Sequence, residues 1–433
     1  MPEAAMDSSA RDPPPKCHPG TRARILAFLE TLVDNPSRRW DMIWLRGPAG
    51  TGKSAVAQTF AELCAAKHRL GAAFFFSRPN KRDRPEKVIP TLAFQLAFHC
   101  PSYNLIITRV LAADPHLLEK AIHVQFKQLI VEPFSQLGTQ NHEIVRQPFL
   151  VVLDGLDECE GEKAQRDLIK MINGLVTIKR GFPIFWLICS RPEPHLLHTF
   201  LRLPECGREE LALDKECRDD VEKFLCDGFE ALKADYPDTI PSGWPPEDQV
   251  AVVLRFCSPL FAVASIAYNY ISDPVYANPV QRFNHLVTFL ERSQGVVGPN
   301  PFTSLDMLYM RILSEIPENI VPITRRILSY LVFKPRFHWH VFSCQIICNL
   351  LRLDQSTLYN ALRRLHSVLY IPTPEDAMER QISFCHASFA DFLRDPNRSG
   401  KFVIDEGKAL VDIAKNLLFW HDLDARLFHA ADG

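Results

Sequence analysis

Between the apolar run Ile43–Trp44–Leu45 and the helix-patterned stretch Ala55–Ala66 lies Gly47–Pro48–Ala49–Gly50–Thr51–Gly52–Lys53–Ser54, a complete GxxxxGK[ST] string. No other feature restricts the fold of this chain as strongly. Such a loop works only when a buried strand feeds it and a helix leaves it. Its glycines let successive N–H groups curl round a phosphate, and the helix N-terminus adds partial positive charge. The 433 residues hold only 18 glycines against 33 prolines, yet three of those glycines fall within residues 47–52. The eight residues 47–54 are therefore expected to cradle a nucleotide, with Lys53 reaching the β/γ-phosphates and the Ser54 hydroxyl holding Mg2+.

Four short apolar runs support the same architecture: Met42–Leu45, Ala72–Phe76, Phe149–Leu153 and Ile184–Cys189. Each is continuously apolar rather than alternating, which suits strands buried on both faces of a parallel sheet covered by helices. The expected fold class is α/β, a P-loop domain with a parallel sheet and flanking helices, followed by an all-helical domain and a winged-helix domain.

A second chemical signal follows the third run. Phe149–Leu153 leads into Asp154–Gly155–Leu156–Asp157–Glu158. A carboxylate at the C-terminal end of a buried strand is placed to hold Mg2+ through water, so Asp154 is the expected metal partner of Ser54. Asp157 and Glu158 are candidates to orient or deprotonate an attacking water. The fourth run ends in Ser190–Arg191–Pro192, where an arginine faces the ligand crevice of an open sheet, and Arg191 is the candidate γ-phosphate sensor. Arg78, after Phe74–Phe75–Phe76–Ser77, has a similar placement with a weaker claim. Asn80–Lys81–Arg82–Asp83 spells the NKxD string that reads guanine in GTPases, but it precedes the acidic strand instead of following it. It reads as a charged loop.

Composition narrows the partners. With 47% hydrophobic and 23% charged residues the chain is globular, and its length suggests roughly three folded units. Forty-nine basic and 51 acidic residues leave a formal charge of −2, so no global field draws it to nucleic acid or an anionic membrane. The 12 cysteines are scattered; only Cys344 and Cys348 are close, without the pairs or histidines of a zinc site. Reduced thiols in a cytoplasmic protein are expected. The longest apolar run, Pro259–Ile271, is 13 residues and too short to span a bilayer.

Along the chain, residues 1–20, with Pro13, Pro14, Pro15 and Pro19, read as an extended, disordered leader. The NTPase domain is expected over 21–205, a helical domain over 206–303, a winged-helix domain over 304–400 and a helical tail over 401–433. Lys215–Lys233 and Asp248–Ile271 are helical in pattern, with a proline-rich break at Tyr236–Pro246 and a loop at Gly295–Pro301. The wing is read from Val368–Ile371 and Gln381–Cys385, separated by Pro372–Arg380.

These residues resemble NACHT-domain NTPases of the STAND class, in particular the nephrocystin-like group of mushroom-forming fungi. The resemblance is carried by Cys17–His18–Pro19–Gly20–Thr21–Arg22, by the P-loop with Ala55–Val56–Ala57–Gln58–Thr59, and by Phe74–Phe75–Phe76–Ser77–Arg78. Above all it is carried by Asp154–Gly155–Leu156–Asp157–Glu158, with its small residue after the metal aspartate and acids two positions on. Ser258–Pro259–Leu260–Phe261 lies at the family's nucleotide-packing hinge, with Pro259 where fungal members have glycine. Phe384–Leu393 resembles the winged-helix motif whose histidine touches the bound diphosphate, which gives that role to His386. Neither an effector domain before Thr21 nor an ankyrin, WD or TPR array is recognisable.

The resemblance implies an ATP/ADP-binding switch with slow Mg2+-dependent hydrolysis. It also implies self-association in the ATP state and a protein effector in intracellular signalling or defence. Three rivals stand beside it. A P-loop metabolic kinase would need an acceptor site and a lid that the later segments do not supply. A winged-helix ATPase acting on nucleic acid would use Arg363, Arg364 and His366, but Asp354 and the near-neutral chain give weak phosphate attraction. A hydrolysis-deficient scaffold is opposed by retention of Lys53, Asp154 and Arg191.

Overall fold

All four apolar runs become neighbouring strands of one parallel sheet. In the computed structural model, which describes residues 1–35, 37–139, 148–178, 182–292, 301–333 and 342–431, they are β1 (Met42–Arg46), β2 (Leu70–Phe75), β3 (Phe149–Asp154) and β4 (Ile184–Ser190). A fifth strand, β5 (Cys206–Glu210), pairs with the outer side of β1, giving the order β2-β3-β4-β1-β5. Every residue of β2, β3 and β4 is buried, as unbroken apolarity requires of strands covered on both faces.

The two faces hold separate cores. Ile43, Leu45, Ala73, Phe75, Val152, Leu187 and Cys189 pack with α1 (Ala23–Asp34) and α2 (Lys53–Ala66). The alternate residues Trp44, Phe74, Val151, Leu153, Trp186 and Ile188 face the other layer. That layer holds α3 (Val88–His99), α4 (Pro101–Ala113), and α5 (Ile122–Phe126), which runs through a π turn into α6 (Glu132–Thr139). It is completed by α7 (Glu162–Ile178) and α8 (Pro194–Leu201). Trp44 stacks on Phe200 of α8 with ring centroids 4.2 Å apart, and its indole N–H donates to Ser190 Oγ at 2.8 Å. Its burial therefore stabilises the layer and ties the end of β4 to β1.

Two expectations are corrected in this unit. The strands do not stop at Pro204: β5 belongs to the sheet, and its register runs from Met42↔Cys206 to Arg46↔Glu210. It is an edge strand with three residues at least partly exposed, so it shows no apolar run. Residues 1–20 are not a disordered leader. They form 3-10 turns at Pro2–Ala4 and Ser9–Arg11, with Ala4 and Arg11 buried. The prolines stiffen a segment whose apolar and arginine side chains find partners on β2, α2 and α3, and such contacts leave no periodic trace in the sequence.

The chain divides into two compact units, Met1–Ala212 and Leu213–Gly433. The second unit begins with α9 (Lys215–Asp235), α10 (Glu247–Cys257), α11 (Phe261–Ile271) and α12 (Pro279–Arg292). The run read as one helix over Asp248–Ile271 is broken between Cys257 and Phe261, where Pro259 supplies no N–H. Then come α13 (Pro301–Ser314), α14 (Val321–Val332), α15 (Cys344–Leu351) and α16 (Gln355–Leu362). Strands β6 (Leu369–Tyr370) and β7 (Ser383–Phe384) pair antiparallel, inside the two spans read as a wing. The unit ends with α17 (Ala387–Arg394), α18 (Pro396–Ser399) and α19 (Glu406–Ala431). One apolar core runs from Val221 through Tyr309 and Phe389 to Ile413, crossing the positions 303/304 and 400/401 where domains were expected to meet. The loop expected at Gly295–Pro301 lies, up to residue 300, outside the described residues.

None of the 12 cysteines is bonded to another, and no described helix is long and apolar enough to cross a membrane.

Candidate functional site

The C-terminal ends of β3, β4 and β1 lie side by side along one edge of the parallel sheet, the edge where ligands of open α/β sheets bind. From β1 the chain turns through Gly47–Gly52 into α2. Gly52 precedes the helix at φ +89°, a left-handed conformation that a side chain would strain. The first N–H groups of the 14-residue α2 have no intrahelical acceptor, which is the donor set an anion needs. The Lys53 ammonium folds over the loop and donates to Gly47 O and Pro48 O, both at 2.7 Å. Burial lowers its pKa; Asp157 opposes that shift and Arg191 adds to it. Thr51 Oγ1 donates to Pro48 O at 3.0 Å, and the Arg22 guanidinium donates to Thr51 O at 2.8 Å.

Asp154 ends β3 and is buried. Burial raises its pKa, against a hydrogen bond from the Ser54 hydroxyl and the positive charges of Arg11 and Lys53. Its Oδ1 accepts no hydrogen bond from the protein. A buried carboxylate oxygen left open beside a helix-terminal hydroxyl is a hard-oxygen donor pair, and it fits a Mg2+ ion that keeps most of its water shell. Gly155 then turns the chain at φ +74°, and a Cβ there would lie 3.3 Å from Phe76 O.

The turn presents Asp157 and Glu158 differently. Asp157 Oδ1 accepts from the Arg191 backbone N–H at 2.9 Å, and Oδ2 lies 3.3 Å from Arg191 Nε. Glu158 Oε2 accepts from the Arg78 backbone N–H at 2.9 Å, and the Arg78 guanidinium donates to Asp157 O at 2.9 Å. Gln165 of α7 braces the turn from behind, donating to Cys159 O at 2.6 Å and Asp157 O at 3.3 Å, with His195 Nε2 2.6 Å from its Oε1.

The structure thus brings Lys53, Ser54, Asp154, Asp157, Glu158, Arg191 and Arg78 into one cluster. His386 belongs to the other unit, directly before α17, where burial holds its imidazole down to about 4 and neutral at physiological pH. Asn80–Asp83 forms a tight turn closed by the Ser77↔Arg82 bridge, and Arg82 is buried, donating from Nε to Phe75 O at 3.1 Å. Three contributors escaped the sequence reading as site residues. Arg22 was visible only inside the Gly20–Thr21–Arg22 string, and Gln165 and Arg11 carried no signal.

Residues 27–191 match the nephrocystin 3 N-terminal family, a span of less than half of the chain. No curated protein matches. Among solved structures the chain is similar to a Walker-type ATPase of Pyrococcus abyssi, at 15% identity and TM-score 0.40, covering 88% of this chain and 98% of that one. Drosophila ORC bound to DNA follows at 14% identity and TM-score 0.35, with coverages of 82% and 89%. Cdc6p from Pyrobaculum aerophilum gives 13% identity and TM-score 0.35, with coverages of 93% and 97%. Likenesses of this size extend to no partner and no reaction.

Proposed function

We propose that the chain is a nephrocystin-like NACHT switch that binds ATP and ADP and hydrolyses ATP slowly with Mg2+. The observation that carries this reading is the open, buried Asp154 Oδ1 beside Ser54, the last residue of a complete P-loop whose lysine folds back over the loop. The N–H groups of residues 49–54 take the phosphates, and Lys53 leaves the Gly47 and Pro48 carbonyls to neutralise them. Mg2+, held by Ser54 and through water by Asp154, would screen charge developing on the transferring phosphoryl group. Glu158 and Asp157 position the attacking water.

Arg191 supplies the difference between ATP and ADP. It answers to a γ-phosphate only by loosening from Asp157, and a ligand shifts a conformational equilibrium only through such differential contacts. The resemblance gives His386 a diphosphate contact, the paired strands β6 and β7 the place of a winged-helix hairpin, and the ATP state self-association and a protein effector. The test is the nucleotide released on denaturing the purified protein. ADP in near-stoichiometric amount is expected; a protein that carries no nucleotide and takes up neither ATP nor ADP overturns the reading in favour of a scaffold.

A further inference from the structure

Arg11 lies outside every motif of the chain, yet its guanidinium is buried in the corner behind the Ser54–Asp154 pair. Three observations fix that placement. First, it stacks on the ring of Phe75, with Cζ 3.4 Å from the ring centroid. Phe75 is the register partner of Asp154 across β2 and β3, and directly paired residues of a sheet project from the same face. Second, Arg11 Nη1 donates to Gln58 Oε1 at 2.8 Å. Gln58 sits four residues after Ser54 on α2, so the two side chains share one helix face. Third, the same guanidinium donates to Met6 O at 2.9 Å and Ala5 O at 3.3 Å, and Gln58 Nε2 donates to Met6 O at 3.3 Å. Residues 5–11 are thereby knotted to α2.

We infer that Arg11 is a positioning residue for the metal pair: by bridging the Phe75 ring and Gln58 it sets the rotation of α2 that aims the Ser54 hydroxyl at Asp154. Arg11 forms no ion pair among the described residues. Burial lowers its pKa to about 9, against the pull of Asp154, so the group stays charged at neutral pH. A buried cation without a salt bridge is costly to keep. A packing role alone would be served by a methionine. A planar cation that lays its face on the Phe75 ring of β2 while its Nη1 donates to Gln58 of α2 is what a methionine cannot supply.

The inference rests on the Mg2+-nucleotide reading of the site, and the experiment separates the two. ADP affinity is measured with Mg2+ and with EDTA for the full chain and for Arg11→Met, Gln58→Leu and Arg11→Lys, alongside melting temperature without nucleotide. Wild type is expected to bind more tightly with Mg2+. Arg11→Met and Gln58→Leu should each cut that advantage about ten-fold, the size of one lost charge-assisted hydrogen bond, while affinity in EDTA changes less than about two-fold. Arg11→Lys keeps a donor for Gln58 and should recover most of the advantage. Gln58→Leu leaves the arginine in place, so the test survives if Arg11→Met does not fold. An equal loss with and without Mg2+, or no loss in either, overturns the role of Arg11 while leaving the site reading intact. A wild type that binds no nucleotide overturns the site reading, and the role of Arg11 with it.

Discussion

Asp157 holds Arg191 at two points, accepting its backbone N–H at 2.9 Å and facing its Nε at 3.3 Å. The carboxylate is almost fully buried, with 8% of its side chain exposed, against 28% for the arginine. Asp157 therefore serves two purposes, fixing the end of β4 and occupying the guanidinium until a stronger anion competes.

Asp157→Asn keeps an acceptor for the Arg191 N–H and removes the charge that detains its side chain. Nucleotide affinity should stay within about three-fold of wild type, because the amide preserves the backbone bond. Hydrolysis should slow by about ten-fold or more, since a water-positioning carboxylate acts on the transition state rather than the ground state. Arg191→Ala should weaken ATP relative to ADP. The two changes touch one interaction, so the double variant should show less than the sum of the single effects. Full additivity would mean that Asp157 and Arg191 act independently.

Lys53→Ala removes the ammonium that folds over the loop and should abolish measurable Mg2+-ATP binding. The thermal readout is specific: wild type gains melting temperature with added nucleotide by mass action, and the variant should gain none. Equal affinities for ATP in variant and wild type would remove the P-loop from the mechanism.

Much of this site was legible because its chemistry is local in sequence. Residues 47–54 and 154–158 are contiguous, and the strands before them are buried on both faces, so periodicity and motif agree. β5 escaped because this edge strand has only five residues, of which the last three, Arg208, Glu209 and Glu210, are charged and at least partly exposed. Arg11 escaped for a different reason. Its partners Gln58 and Phe75 lie far away in the chain, and a tertiary hydrogen bond or a cation on a ring has no sequence period. The single core of the second unit was hidden likewise: helix patterns announce an apolar face but not which other helix covers it.

Glu315 gathers three helices of the second unit. Its Oε2 lies 2.8 Å from Arg282 Nη1, and its Oε1 lies 3.1 Å from Arg311 Nη2 and accepts from Tyr270 Oη at 2.5 Å. Arg282 is itself sandwiched, 3.4 Å from the Tyr270 ring and 4.0 Å from the Tyr276 ring. Glu315→Ala should destabilise this unit by roughly 3–5 kcal/mol, because it strands a buried guanidinium. Replacing both partners, Arg282→Met with Glu315→Leu, should cost clearly less than Glu315→Ala alone. Chemical denaturation of the two variants and wild type checks the order, and a double variant worse than the single one would show that the ion pair itself stabilises the fold.

His386 offers two separable outcomes. Burial lowers its imidazole to about 4, below the ordinary value of 6.5, so the folded state resists protonation more than the unfolded state does. The unfolded chain therefore binds more protons between those two values. Stability contributed by neutral His386 is complete above about pH 6.5 and declines as pH falls toward 4. His386→Leu cannot take up a proton and should show a flatter melting temperature between pH 7 and pH 5 than wild type. That result follows from burial alone. The diphosphate role implied by the resemblance predicts something further, a loss of ADP affinity of about ten-fold at pH 7 with ATP affinity less affected, as one lost hydrogen bond to a charged group would give. Because binding and conformational equilibria are linked, the same variant should then raise the self-associated fraction measured by light scattering in ADP. A flattened pH profile with an unchanged ADP-to-ATP ratio would place His386 in the core of its unit and take the nucleotide contact away from it.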